Sequence, residues 1–221
     1  MNETKTQKPS ETFEHTPMAV IANVSRVVTK VVDRISGDRN EVPLMVAAAV
    51  VEGLKGHGIE SRVMYGPAAW LEVLENSGVI WTGCWGESFH FWVATQFGEV
   101  VDLNTFVSVR KRSHQNPDWK PQYAAPLLWS REVPRFYRYQ PEGIAELELT
   151  SEDDQKKFDK VLAEIREKCR PENLATAPGS EEEFPNEPML CPGRRVLDDS
   201  HKNFRQFDRA ISVQGIPDSP F

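Results

Sequence analysis

Three side chains in this 221-residue chain have the types and spacing that proton transfer and nucleophilic attack require. His90 lies in Ser88-Phe89-His90-Phe91-Trp92-Val93, where Phe89, Phe91 and Val93 alternate with His90 and Trp92 as in a half-buried strand. Gln96-Phe97-Gly98 reads as a turn, and the returning strand, Glu99 to Leu103, carries Asp102 near its end. An imidazole on one strand with a carboxylate on the next matches a general base and the acid that fixes its tautomer. Cys84 stands six residues before His90, in Thr82-Gly83-Cys84-Trp85-Gly86-Glu87, and is the thiol nearest that pair in sequence. Facing the imidazole, it would be the nucleophile. Each residue also has an ordinary explanation: a strand histidine bonded in a polar pocket, an aspartate capping a strand end, and a buried or loop cysteine without special reactivity.

The elements that must position these groups follow from periodicity. Thr16-Pro17 starts a helix, Thr as N-cap and Pro at the first helical position, and Val20, Ile21, Val24, Val27, Val28, Val31, Val32 and Ile35 recur at helical spacing up to Gly37. After the polar turn 38–41, Pro43 opens a second helix that is apolar nearly all round, the mark of a central buried helix. Gly56 and Gly58 end it, and Ile59 to Tyr65 alternates as a strand. Ala69 to Leu74 is a strand or a short helix, Val79-Ile80-Trp81 a short strand, and Thr82 to Glu87 a loop that carries Cys84. Ile144 to Leu149 alternates as an edge strand. Ser151-Glu152-Asp153-Asp154 is a capping-box-like start to a helix whose apolar face is Phe158, Val161, Leu162 and Ile165. The layout is α+β, a buried helix packed on a small antiparallel sheet spanning 16–169. Residues 1–15 read as a disordered segment. Residues 170–221 hold seven of the 16 prolines and read as an irregular arm, with Phe204, Phe207, Ile211 and Val213 as docking contacts.

Composition narrows the partners. A formal net charge of -7 argues against nucleic acid. No run of about eighteen apolar residues predicts a membrane span. The polar opening MNETKTQKPSETFEHT lacks the apolar stretch of a secretory signal, so a reducing cytoplasm is the expected compartment. Cys84, Cys169 and Cys191 are odd in number and far apart, which fits neither a disulfide framework nor a zinc pattern. His90 and Asp102 with Cys84 or His114 lack the close spacing of metal ligands, and no metal or cofactor is expected. Arg110-Lys111-Arg112 and Glu181-Glu182-Glu183 read as solvated charge runs.

The order of these pieces resembles the papain-like cysteine-proteinase superfamily and, within it, transglutaminase-like proteins and arylamine acyltransferases. The resemblance rests on a buried helix, Gly58-Ile59-Glu60-Ser61-Arg62-Val63 entering a strand, the Phe89-His90-Phe91-Trp92-Val93 strand, a glycine turn and Asp102. It is nearest to a small bacterial family of that fold and covers roughly residues 40 to 103, more weakly to about 150. It implies His90 as base, Asp102 as orienting acid and a nucleophilic cysteine at the start of the buried helix, where the helix dipole favours a thiolate. Here that place holds Val42-Pro43-Leu44. Two expectations follow. One is a degenerate member that keeps the cleft and binds a peptide, a small molecule or a protein partner. The other is an active thiol hydrolase or acyltransferase with Cys84, His90 and Asp102 acting on a small acyl substrate. Either way the His90 hairpin should sit against the N-terminus of the Pro43 helix.

Overall fold

The computed structural model describes residues 14–37, 39, 42–75, 78–104, 121–146, 151–174, 189–190 and 202–221. The segment 1–13, the basic run with His114, the triple glutamate and Cys191 lie outside the described residues. Helix α1 (Met18–Ser36) buries the expected valine stripe, and Gly37 closes it with a φ of 82°. Its β-branched residues are weak helix formers, so burial of that stripe must hold it. Thr16 does not cap the helix as expected. Pro17 takes the N-cap position, and Thr16 is buried against Glu99 instead. Helix α2 (Pro43–Lys55) starts at Pro43 with no side-chain cap and is buried along most of its length. Helix α3 (Glu152–Lys168) begins on Ser151, whose hydroxyl accepts from the Asp154 N–H at 3.5 Å.

Two sheets follow. The strands are β1 (Ser61–Gly66), β2 (Ala68–Leu74), β3 (Gly78–Cys84), β4 (His90–Thr95), β5 (Val100–Asp102), β6 (Pro121–Ala124), β7 (Leu127–Ser130), β8 (Tyr137–Tyr139), β9 (Gly143–Ile144) and β10 (Met189–Leu190). The first sheet has the order β10-β7-β5-β4-β1-β9. The second runs β3-β2-β6, with β8 also paired to β2. All pairs are antiparallel except β10 with β7. The ambiguous run at 69–74 is therefore a strand. It is buried on both faces, which is why it shows no alternation. The described part of the 144–149 edge strand is short, ending at Ile144.

The described stretches of the arm include regular elements that its prolines do not suggest. Met189-Leu190 adds β10 to the first sheet, and helix α4 (Lys202–Gln214) packs on β2, β3 and β6. Phe207 and Ile211 are fully enclosed, as their spacing as docking contacts implies, whereas Val213 is exposed. The whole is α+β. Helices α1, α2 and α3 share one core with Val63, Val93 and Val101 on one face of the first sheet. Trp92, Leu128 and Leu190 on its other face share a second core with Trp70, Leu71 and Val73 of the second sheet. No described helix is long and apolar enough to cross a membrane.

Glu99 ties these layers together. Its carboxylate is fully buried and accepts from the Thr16 N–H at 2.9 Å, the Thr16 hydroxyl at 2.6 Å, the Thr95 hydroxyl at 2.9 Å and the Trp129 indole N–H at 3.3 Å. A buried carboxylate is tolerated only when its oxygens are so satisfied. Removing it orphans four donors at once, so Glu99→Ala should lower unfolding free energy by about 3 kcal/mol or more, measured by urea denaturation.

Candidate active site

Strand alternation decides which way the hairpin residues point. Phe91 and Val93 face the helices, so His90 and Trp92 face the second sheet. On β5, Val101 lies on the helix side, and Val100 with Asp102 on the other. The site is therefore built between the two sheets. The expected cleft against the start of α2 is not what the fold makes, because α2 packs on the opposite face of β1 and β4. That face carries Val42, Pro43 and Leu44, and the imidazole turns away from it.

The second sheet brings the thiol. Ala68 pairs with Cys84 and Trp70 with Thr82, so these four side chains share one face of β2 and β3. The Trp70 ring lies on the His90 ring, centroids 5.3 Å apart, so that face looks at the imidazole. Thr82-Gly83-Cys84 was expected in a loop, yet β3 runs through Cys84. The reason is Gly83. Its φ is 143°, and a Cβ there would stand 2.1 Å from the Ala68 carbonyl oxygen. Only glycine lets the strand continue so close to β2.

His90, Asp102 and Cys84 come together at this place. His90 Nε2 donates to Asp102 Oδ2 at 2.7 Å, and Cys84 lies on the face of β3 turned toward the imidazole, near enough to act on its charge. With Nε2 taken by the carboxylate, Nδ1 is the nitrogen left for sulfur. Asp102 is held from two more sides: the Tyr139 hydroxyl donates to Oδ2 at 2.8 Å and the Asn104 N–H to Oδ1 at 2.9 Å. His90 is 4% and Asp102 2% exposed, while Cys84 is half-buried at the edge of the loop 85–89. The base and acid are sealed from water and the thiol is not.

Burial alone pushes the imidazole down, because it penalises the charged form. The Asp102 charge and hydrogen bond, and then the Cys84 sulfur, reverse this and raise His90 to about 10. Tyr139 is pushed well above its ordinary value by burial and by the Asp102 charge, so it stays a neutral donor. Cys169 is fully enclosed in the helical core, and burial pushes its thiol up to about 12, which leaves it inert. Among the described residues no three His, Cys, Asp or Glu side chains converge as a metal site requires.

Of the clustered tryptophans 70, 81, 85 and 92, from which one or two were expected beside His90, Trp70 lies on its ring, whereas sequence reasoning missed Tyr139 and Asn104. Tyr137-Arg138-Tyr139 carried a weak signal as an alternating triplet, but its pairing with Ala68 to Trp70 is a long-range fact. Trp70 Nε1 and Asn104 Oδ1 are buried without a hydrogen-bond partner, which marks the inter-sheet space beside His90 as polar.

A histidine raised above its unfolded value lends stability that is complete below about pH 6.5 and is lost as pH climbs through the folded value, here about 10. The unfolding midpoint of the wild type should therefore fall between pH 7 and 10. In Asp102→Asn the largest raising cause is gone and burial prevails. Its His90 should titrate below pH 6.5 by nitrogen NMR, whereas wild-type His90 stays protonated at pH 8.

No protein-family profile matches this chain, and no curated protein matches it. One solved structure, a crystal structure of the genomics target APC5867, is similar at 12% identity and a TM-score of 0.43, over 71% of this chain and 81% of that one.

Proposed function

We propose that the protein is a thiol-dependent acyl hydrolase or acyltransferase acting through Cys84, His90 and Asp102. The observation that supports this reading is Cys84 on the face of β3 that looks at an imidazole whose Nε2 is bonded to a buried carboxylate. The sulfur attacks the acyl carbon as its anion and His90 holds the proton. As the carbon–sulfur bond forms and the bond to the leaving group breaks, His90 gives that group its proton. Water, or an amine or alcohol in a transfer, then attacks the thioester and returns a proton to His90, releasing Cys84. Asp102 keeps the imidazole in the needed orientation and balances its charge. Tyr139 and Asn104 hold Asp102.

The relation to papain-like and transglutaminase-like proteins belongs to the same proposal. A buried helix packed on a sheet that carries a His–Asp hairpin supports it. The thiol would be a displaced one, supplied by a strand of the second sheet in place of the helix start. A second reading, a member without turnover that binds a peptide, a small molecule or a protein partner, is favoured by the thiol-free start of α2 and by the near-complete burial of His90 and Asp102.

Turnover of p-nitrophenyl acetate, monitored for an acyl-protein burst, separates the two. Cys84→Ala should abolish the burst and Asp102→Asn should slow turnover by about 10³-fold or more, whereas Cys169→Ala leaves the burst intact. A burst that persists in Cys84→Ala would rule out the thiol reading.

A further inference from the structure

Two donors converge on one oxygen of Asp102. His90 Nε2 donates to Oδ2 at 2.7 Å, and the Tyr139 hydroxyl donates to the same Oδ2 at 2.8 Å. The other oxygen, Oδ1, takes the Asn104 N–H at 2.9 Å. Tyr139 arrives from the second sheet, and its ring is aimed by packing in which Asp102 has no part. Strand pairing sets Tyr139 opposite Ala68, and the next N–H, of Gln140, donates to the Pro67 carbonyl at 2.9 Å. The Trp92 ring centroid lies 5.0 Å from that of Tyr139 at a tilt of 58°, and the Tyr137 ring stacks at 6.3 Å and 22°. Tyr137, the neighbouring phenol, directs its own hydroxyl to the Pro126 carbonyl.

A hydrogen bond to a carboxylate stabilises its charge and so weakens its pull on a proton held elsewhere. In a site shut off from water the two bonds on Oδ2 act on each other strongly. Burial and the Asp102 charge keep the Tyr139 phenol from ionising, so it meets Oδ2 as a donor. An imidazole facing that oxygen without a competitor would hold its proton too firmly to serve as an acid. We propose that Tyr139 is a positioning residue for the His90 proton: its hydroxyl weakens the His90–Asp102 hydrogen bond and keeps the imidazolium able to protonate a leaving group. The consequence for turnover rests on the thiol reading above; the effect on the proton does not depend on it.

Proton NMR of the His90 Nε2 hydrogen reads that bond directly, with folding of each variant checked by circular dichroism. Tyr139→Phe keeps the ring and removes the hydroxyl, so the resonance should move downfield by about 0.5 ppm or more. 3-Fluorotyrosine placed at position 139, a stronger donor of nearly the same shape, should move it upfield; if Tyr139→Phe does not fold, this shift decides alone. Tyr137→Phe takes a phenol from the stack without touching Asp102 and should leave the resonance in place. With Cys84 as nucleophile, Tyr139→Phe should slow turnover of phenyl acetate about ten-fold more than that of p-nitrophenyl acetate, whose leaving group departs as the anion. No such resonance in the wild type, no downfield move in folded Tyr139→Phe, an equal move in Tyr137→Phe, or equal slowing of the two esters would overturn the proposal. The two readings fail separately. The expected shifts without turnover of either ester remove the enzyme and keep the role of Tyr139 on the proton. Cys84-dependent turnover without the shifts does the reverse.

Discussion

An imidazole and a carboxylate 2.7 Å apart, both shut off from water between two sheets, are expensive to place there. Such a pair persists only when each remaining polar atom finds a partner, since desolvation otherwise exceeds the mutual attraction. Asp102 meets that condition through the Tyr139 hydroxyl and the Asn104 N–H, and the His90 ring is covered by Trp70 of the second sheet. The second sheet is therefore a necessary part of the hairpin, because Trp70 and Tyr139 lie on its strands β2 and β8. Without it His90 would face water as an ordinary strand histidine.

The same constraint explains the division of labour between the two faces of the first sheet. The helical face is apolar and closed: α1, α2 and α3 meet Val63, Val93 and Val101 there, and Cys169 is locked within it. The other face mixes large rings with a polar centre, in which Trp70 lies on His90 and Trp92 on Tyr139. Glu99 anchors the start of α1 to the turn end of the same hairpin, so the strand pair that carries His90 and Asp102 is fixed at both ends. Rigidity of this kind suits a site whose groups must hold their geometry to a fraction of an ångström.

Much of the fold was legible because its signals are local. The valine stripe of α1, the apolar run of α2, the capped start of α3 and the alternation around His90 all act within a few residues. The pairing of His90 with Asp102 was legible for the same reason, as a tight hairpin. What sequence could not show was direction. Phe91 and Val93 are as apolar as Trp92, so alternation marks two buried faces without saying which one meets the helices. It could not show that β3 reaches Cys84 either, because glycine usually signals a loop, and here Gly83 permits a close strand pairing. Tyr139 reaches Asp102 from 37 residues away, and nothing in a single sequence encodes that contact. The arm misled through its prolines, which fall outside the Phe204–Ile211 stretch that forms the helix.

The account stands on Cys84 being activated by His90. The most direct measurement is the rate of iodoacetamide labelling at Cys84 at pH 7, followed by peptide mass in the wild type and in His90→Gln, with folding of both checked by circular dichroism. The account predicts labelling at least ten-fold faster in the wild type than in the variant. Equal rates in two folded proteins would show that the thiol and the imidazole are neighbours without being partners, and would contradict it.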